Sequence, residues 1–227
     1  MSRIEHIQPA QPGILITRVR GYNLFTAIFL GGRGRLDRTL ARLSGARAGD
    51  RVLDVCSGPG ALAAALTAEV GAGGAVVGID ASPPMVTYST KHAGRQPNCH
   101  FEYGIAQDLN FPDGSFDVVT STFAMHHIPE SERPAAIAHM FRVLRPGGRL
   151  LLADMHPTGR IHPALVRILS RLASHGTSET ATRGLDPVES VDIRQYRTLL
   201  SDAGFEGFDF TTVKRATGVL TAVKAEA

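Results

Sequence analysis

At 227 residues the chain has room for one sizeable α/β core, and its 43% hydrophobic share is ordinary for a globular protein. The formal net charge of +3 comes partly from Arg33, Arg35, Arg38, Arg42, Arg47 and Arg51. That run reads as a solvated helix face, because it has no interleaved aromatics to stack bases; a phosphate or nucleic-acid patch is the minority reading.

Residues 1–13 carry Pro9, Pro12 and Gly13 without periodicity and read as an extended lead. The first residues hold acid and proline where a signal peptide needs a basic end and an unbroken apolar core, and Leu24 to Leu30 is far too short to span a bilayer. Two cysteines, Cys56 and Cys99, have no zinc or disulfide spacing. A soluble, cytoplasmic protein without a membrane span is expected. From Ile14 to Leu30, Leu15, Val19, Tyr22, Phe25 and Phe29 recur at mixed helical spacings, Gly31-Gly32 breaks the run, and a basic helix is predicted from Arg35 to Leu43.

The organising stretch is Arg51-Val52-Leu53-Asp54-Val55-Cys56-Ser57-Gly58-Pro59-Gly60, followed by an Ala/Leu-rich run. It predicts strand, tight turn and helix, with Gly58 and Gly60 letting the backbone approach a ligand and the helix N-terminus offering unpaired N–H groups. Gly58-x-Gly60-x-x-Ala63 also fits a dinucleotide fingerprint with Asp80 as its ribose acid. Ala75 to Asp80 reads as a buried parallel strand ending in an acid, with Ser82 placed to cap a helix begun by Pro83 and Pro84; a capping role for Asp80 is the alternative. Ser82-Pro83-Pro84-Met85 is not the base-methylating Asp/Asn-Pro-Pro-aromatic motif, since it follows the wrong strand and lacks the aromatic.

His100 to Ile105 predicts the third strand, and Phe116 to Val119 begins the fourth after the turn Phe111-Pro112-Asp113-Gly114-Ser115. His126 and His127 then leave the fourth strand at the sheet edge where doubly wound folds bind ligands. For His126 a structural or cofactor-contacting role, a general base or substrate contact, and a metal ligand are all open. A helix is predicted over Glu130 to Leu144, a fifth strand over Arg149 to Ala153, a helix over Pro163 to Leu172, a last helix over Ser190 to Ala203, and a closing hairpin from Phe205 to Val213 and Thr217 to Lys224. Asp154, His156 and His162 have only nonspecific spacing, so no metal is expected.

Asp54-x-Cys56-x-Gly58-x-Gly60 resembles the acid-x-Gly-x-Gly-x-Gly motif of the Rossmann-like S-adenosylmethionine-dependent methyltransferases. Phe111 to Val119 and the Leu-x-Pro-Gly-Gly-x-Leu run from Leu144 to Leu150 are similar to those of the menaquinone/ubiquinone-biosynthesis type. The resemblance implies a doubly wound seven-stranded α/β sheet, mostly parallel with a C-terminal antiparallel hairpin and helices on both faces. It assigns S-adenosyl-L-methionine to Asp54, Cys56, Ser57, Gly58 and Gly60 at the loop, Asp80 and Ala81 at the ribose, Met85, Gln107, Asp108 and Leu109 around the adenine, and Thr122. Cys56 replaces the family's first glycine, and a residue with a Cβ is strained at positive φ.

On this reading residues 1–46 form a lead and lid helices, and 47–227 one methyltransferase domain with 154–186 as a substrate cover. Tyr22, Phe25 and His127 line the substrate or lid, Tyr22 having a plain packing role as its alternative. The apolar makeup of the covering segments predicts a small phenol-, quinone- or lipid-like acceptor and no nucleic acid, with His126 as the base where the acceptor carries a proton; a homodimer is left open. The competing readings are a non-catalytic module of the same fold and a nicotinamide oxidoreductase, for which no Tyr-x-x-x-Lys pair is present.

Overall fold

The computed structural model describes Leu15, Val19 and residues 34–156, 192–213 and 217–226. Its elements are α1 (Gly34–Leu43), β1 (Arg51–Val55), α2 (Ala61–Val70), β2 (Ala75–Asp80), α3 (Pro83–His92), β3 (Cys99–Tyr103), β4 (Phe116–Thr122), α4 (Arg133–Val143), β5 (Leu144–Met155), α5 (Tyr196–Asp202), β6 (Phe205–Val213) and β7 (Thr217–Lys224). The strands form one sheet of seven in the order β3-β2-β1-β4-β5-β7-β6. The β1–β2, β1–β4, β2–β3 and β4–β5 pairs are parallel, whereas β7 runs antiparallel to both β5 and β6.

The strands read as continuous apolar runs because both faces of the sheet are covered. Leu53, Val119, Leu150 and Leu152 point into one apolar layer with Ile137, Met140 and Tyr196 of α4 and α5. The alternate residues Val52, Val118 and Leu151 enter the other layer with Leu62, Leu66 and Val70 of α2. Leu36, Leu40 and Ala41 of α1 join that second layer, while Arg35, Arg38 and Arg42 remain exposed. Helix α1, at the end of the predicted lead and lid segment, is therefore built into the core; Tyr22, Phe25, Phe29, Pro163 to Leu172, His162 and the 157–186 part of the predicted cover lie outside the described residues.

Several boundaries differ from the sequence prediction, each for a local reason. The third strand stops at Tyr103 because the Asp108 N–H returns to the Ile105 carbonyl at 3.2 Å and the chain turns there. The helix expected from Glu130 opens as a 3-10 turn over Glu130–Glu132 and becomes α-helical only at Arg133, since Pro134 lacks an N–H and is tolerated only in the first turn. The last helix starts with a 3-10 turn at Ile193, capped by Asp192 accepting the Arg194 N–H. The fifth strand begins at Leu144, with Arg145 to Gly148 as an irregularity between the pairs Phe116–Leu144 and Val118–Arg149.

Candidate functional site

The strand order reverses between β1 and β4, and the loops leaving the carboxyl ends of these strands meet at that switch point. After β1, Cys56 (φ 59°), Gly58 (φ 53°) and Gly60 (φ 82°) are left-handed in alternation with Ser57 and Pro59. Cys56, which replaces the family's first glycine, thus takes a left-handed conformation despite its Cβ. Strain of this kind costs roughly 1–2 kcal/mol. Two hydrogen bonds offset it, from the Ser57 N–H to the Ile79 carbonyl at 2.8 Å and from the Gly58 N–H to Asp80 Oδ2 at 2.8 Å. The second, to a charged acceptor, alone contributes about 1.5–3 kcal/mol.

The two glycines do different things. A Cβ on Gly60 would lie 2.7 Å from the Phe101 ring and 2.9 Å from the Ala93 Cβ, so this glycine lets α2 start tight against β3 and α3. A Cβ on Gly58 would meet nothing within 4 Å of the described residues.

Asp80, at the end of β2, takes the Gly58 N–H on Oδ2 and the Ser82 N–H on Oδ1 at 2.8 Å. Ser82, not Asp80, stands at the N-cap of α3, and its hydroxyl makes no cap bond; Asp80 binds the Ser82 amide. Each carboxylate oxygen keeps a second acceptor direction for a ligand hydroxyl. Burial raises the Asp80 carboxyl above its ordinary range, and the two N–H bonds pull it back. Asp54 lies deeper, 1% exposed, accepting the Thr120 hydroxyl of β4 at 2.8 Å.

On the far side of Asp80, α4 holds the turn after β3. Arg142 donates to the carbonyls of Leu109 at 2.5 Å and Phe111 at 2.7 Å and to Asp113 at 2.6 Å, and His139 Nδ1 accepts the Leu109 N–H at 3.1 Å. Leu109 has a side chain 2% exposed, and its N–H and carbonyl are bonded to side chains of α4. Asp108 is exposed beside it, Gln107 is buried, Ala81 is half-buried and Met85 is 2% exposed.

β4 ends at buried Thr122, and Phe123 follows with φ 55° as its N–H bonds the Ala153 carbonyl of β5 at 2.7 Å. A 3-10 turn, Met125–His127, then carries the histidine pair, whose ring centroids are 4.0 Å apart. His126 Nδ1 lies 2.8 Å from Asp154 Oδ2 at the end of β5. His127 Nδ1 is buried without a hydrogen-bond partner, and burial pushes this imidazole down to about 3. Asp154 turns to His126, and His156 Nδ1 lies 3.9 Å from Asp192; His162 lies outside the described residues. Among the described residues, no group of three or more His, Cys, Asp and Glu could hold a metal.

Sequence reasoning missed Asp154 as the partner of His126, although it carries the signal that marked Asp80, an acid closing a buried apolar strand. It also missed His139 and Arg142, for which nothing in the local pattern stands out.

An open doubly wound sheet closed by an antiparallel hairpin, with an acid at the end of β2 bound to the glycine loop after β1, defines the Rossmann-like methyltransferase class. A family model described as a methyltransferase domain matches residues 52–148. The ubiquinone/menaquinone biosynthesis C-methyltransferase UbiE of Ectopseudomonas mendocina is 33% identical over 200 residues, 82% of this chain and 77% of that protein. The UbiE protein of Pseudomonas putida is 39% identical over 145 residues, 62% of this chain but only 56% of that protein, so the chain matches little more than half its length. Among solved structures, an S-adenosylmethionine-dependent methyltransferase from Aquifex aeolicus superposes with a TM-score of 0.69 at 18% identity, covering 92% of this chain and 97% of that one. A phosphoethanolamine N-methyltransferase of Haemonchus contortus in complex with S-adenosyl-L-methionine has a TM-score of 0.67 at 16% identity, covering 92% and 57%. The chain belongs to the UbiE family, within the Rossmann-like S-adenosylmethionine-dependent methyltransferases.

Proposed function

We propose that this chain transfers a methyl group from S-adenosyl-L-methionine to a small, largely apolar acceptor of phenol, quinone or lipid type. The observation that carries the reading is the pairing of two devices across one switch point: Asp80 bound to the glycine loop, and His126 bound to Asp154. The residues fit the cofactor. Gly58 leaves open space over the loop, the Ser57 Oγ is buried with no hydrogen-bond partner, and Asp80 retains acceptor capacity for ribose hydroxyls.

When bound, the cofactor supplies a methyl group already activated on a sulfonium. The protein is then left with alignment, an effect that can reach about 7–11 kcal/mol, and with removing a proton from any acceptor that carries one. Asp80 and the loop fix the nucleoside end, Asp108 and the turn held by Arg142 bound the adenine side, and His126 stands at the exit of β4. Tyr22, Phe25 and residues 154–186 complete the acceptor space in this reading. The protein works in the cytoplasm on small molecules, with no nucleic-acid partner. The free thiols of Cys56 and Cys99 accord with a reducing compartment, and no described helix is long and apolar enough to cross a membrane.

A screen with methyl-labelled cofactor over phenols, quinols, lipids, amines and bulk RNA tests the reading. Label is expected in a phenol, quinol or lipid. Transfer to RNA alone, surviving moderate salt, would overturn it and turn the arginines of α1 into a binding surface.

A further inference from the structure

We infer that His139 is a positioning residue: its unprotonated Nδ1 holds the turn after β3 in the shape that takes the adenine end of the cofactor, so protonating this one imidazole weakens cofactor binding. The inference rests on the methyl-transfer reading above, and within it on the turn at residues 105–111 bounding the adenine.

The turn is tied at both of its sides. The Gly104 N–H bonds the Asp80 carbonyl at 3.2 Å, which sets the start of the turn beside the acid at the end of β2. Within it, the Asp108 N–H bonds the Ile105 carbonyl at 3.2 Å and the Phe111 N–H bonds the Leu109 carbonyl at 2.9 Å. The remaining hold comes from one face of α4, on which His139 and Arg142 are neighbours one turn apart. Arg142 donates to the Leu109 and Phe111 carbonyls and to Asp113, and His139 Nδ1 accepts the Leu109 N–H at 3.1 Å. Both backbone groups of Leu109 thus depend on these two side chains.

The two are not equivalent. A guanidinium donates at every pH at which the protein is folded, whereas a backbone N–H can bond only a ring nitrogen that carries a lone pair. The bond therefore leaves Nδ1 bare and puts the proton of the neutral ring on Nε2. A proton added at Nδ1 would set two donors face to face, break the bond and leave the Leu109 amide without its acceptor. The charged groups that act on the ring are Arg142 on its own helix and Asp108 on the turn; Asp113, the turn's other acid, is paired with Arg142. Burial first, then Arg142, lower the imidazole below its ordinary value of 6.5, against the upward pull of Asp108.

The sign follows from linkage. The held turn and the protonated ring exclude each other, so a ligand that needs the held turn binds the unprotonated protein better. Cofactor affinity is level while the ring is neutral and falls as the pH drops below 6.5 and through the lowered value. Reciprocally, bound cofactor drives the His139 titration further down. One hydrogen bond between neutral groups sets the size, about fivefold in affinity.

The test uses S-adenosylhomocysteine, the demethylated cofactor, as probe. Long-range nitrogen–proton NMR of the ligand-free wild type should report His139 as the Nε2–H tautomer, and its titration midpoint should move down when the probe is added. In calorimetric titrations from about pH 7.5 to about pH 4.5, wild-type affinity should fall about fivefold more than that of His139→Asn, whose Oδ1 can take the Leu109 N–H throughout. At the upper pH, His139→Asn should bind within about twofold of the wild type, whereas His139→Ala, lacking an acceptor, should bind about fivefold more weakly. Ionisation of the probe, of Asp80 and of His127 is common to all three proteins, so a difference between their curves belongs to position 139. His139 is only half-buried, and the wild-type NMR titration decides by itself if a variant fails to fold. An Nδ1–H tautomer, a midpoint that the probe leaves in place, parallel curves for wild type and His139→Asn, or wild-type affinity in His139→Ala overturns the inference and leaves methyl transfer standing. A wild type that binds neither S-adenosylhomocysteine nor S-adenosyl-L-methionine at any pH overturns the underlying reading as well.

Discussion

The Asp80 carboxylate accepts the backbone N–H of Gly58 at 2.8 Å, tying the end of β2 to the loop that leaves β1. With the Ser82 N–H on its other oxygen, this one side chain shapes the loop after β1 and, in the proposed function, also faces the cofactor.

Asp80→Ala should therefore reduce both binding and stability. Loss of a charged acceptor for two ribose hydroxyls is expected to weaken cofactor affinity by about 2–4 kcal/mol. The two orphaned amides should lower the melting temperature as well, by about 2–4 °C per kcal/mol in a chain of this size. Calorimetric titration and thermal melting measure the two effects separately. Unchanged affinity in a folded variant would remove Asp80 from the ligand.

Gly58→Ala and Gly60→Ala should part company. At Gly58 the added methyl enters open space, so stability falls only by the backbone strain of about 1–2 kcal/mol while cofactor affinity falls as the methyl occupies the cradle. At Gly60 the methyl meets Phe101 at 2.7 Å, and overpacking of about 1–3 kcal/mol adds to the same strain. Urea titrations of the two variants, with a binding isotherm for Gly58→Ala, decide it; equal stability losses would refute the division of roles.

Arg142→Ala should loosen the turn after β3. Two carbonyls and the Asp113 carboxylate lose their donor, an expected cost of about 1–3 kcal/mol. Hydrogen exchange should rise locally across residues 106–113 and not in β1. Exchange rising evenly over the whole sheet would mean that the arginine acts on global stability instead.

Acid should destabilise the protein partly through His127. Unfolded, this histidine takes a proton near its ordinary value of 6.5, whereas folded it resists until about 3. Between those values the unfolded state binds more protons, so stability rises with pH there and is lost on acidification, at up to about 1.4 kcal/mol per pH unit for one group. His139, also lowered by burial and by Arg142, acts in the same direction. Urea unfolding at pH 7, 6 and 5 should show a shallower decline for His127→Gln than for the wild type; parallel lines would refute it.

Some of this architecture was legible from local pattern alone. Val52 to Val55 and Ala75 to Asp80 are apolar runs too short and too continuous for helices, and each ends where a glycine loop or an acid marks the ligand edge.

What local pattern did not contain is any contact set by register between distant strands and helices. His126 and Asp154 stand on separate strand exits and meet only because β4 and β5 pair from Val118–Arg149 to Thr122–Ala153. The commitment of Leu109 to the fold likewise comes from His139 and Arg142, one helix away in the chain. Sequence alone determined where β1, β2, β6 and β7 end, since alternation and propensity act over a few residues. Which of those ends face one another was decided by packing the sheet between its two helical layers.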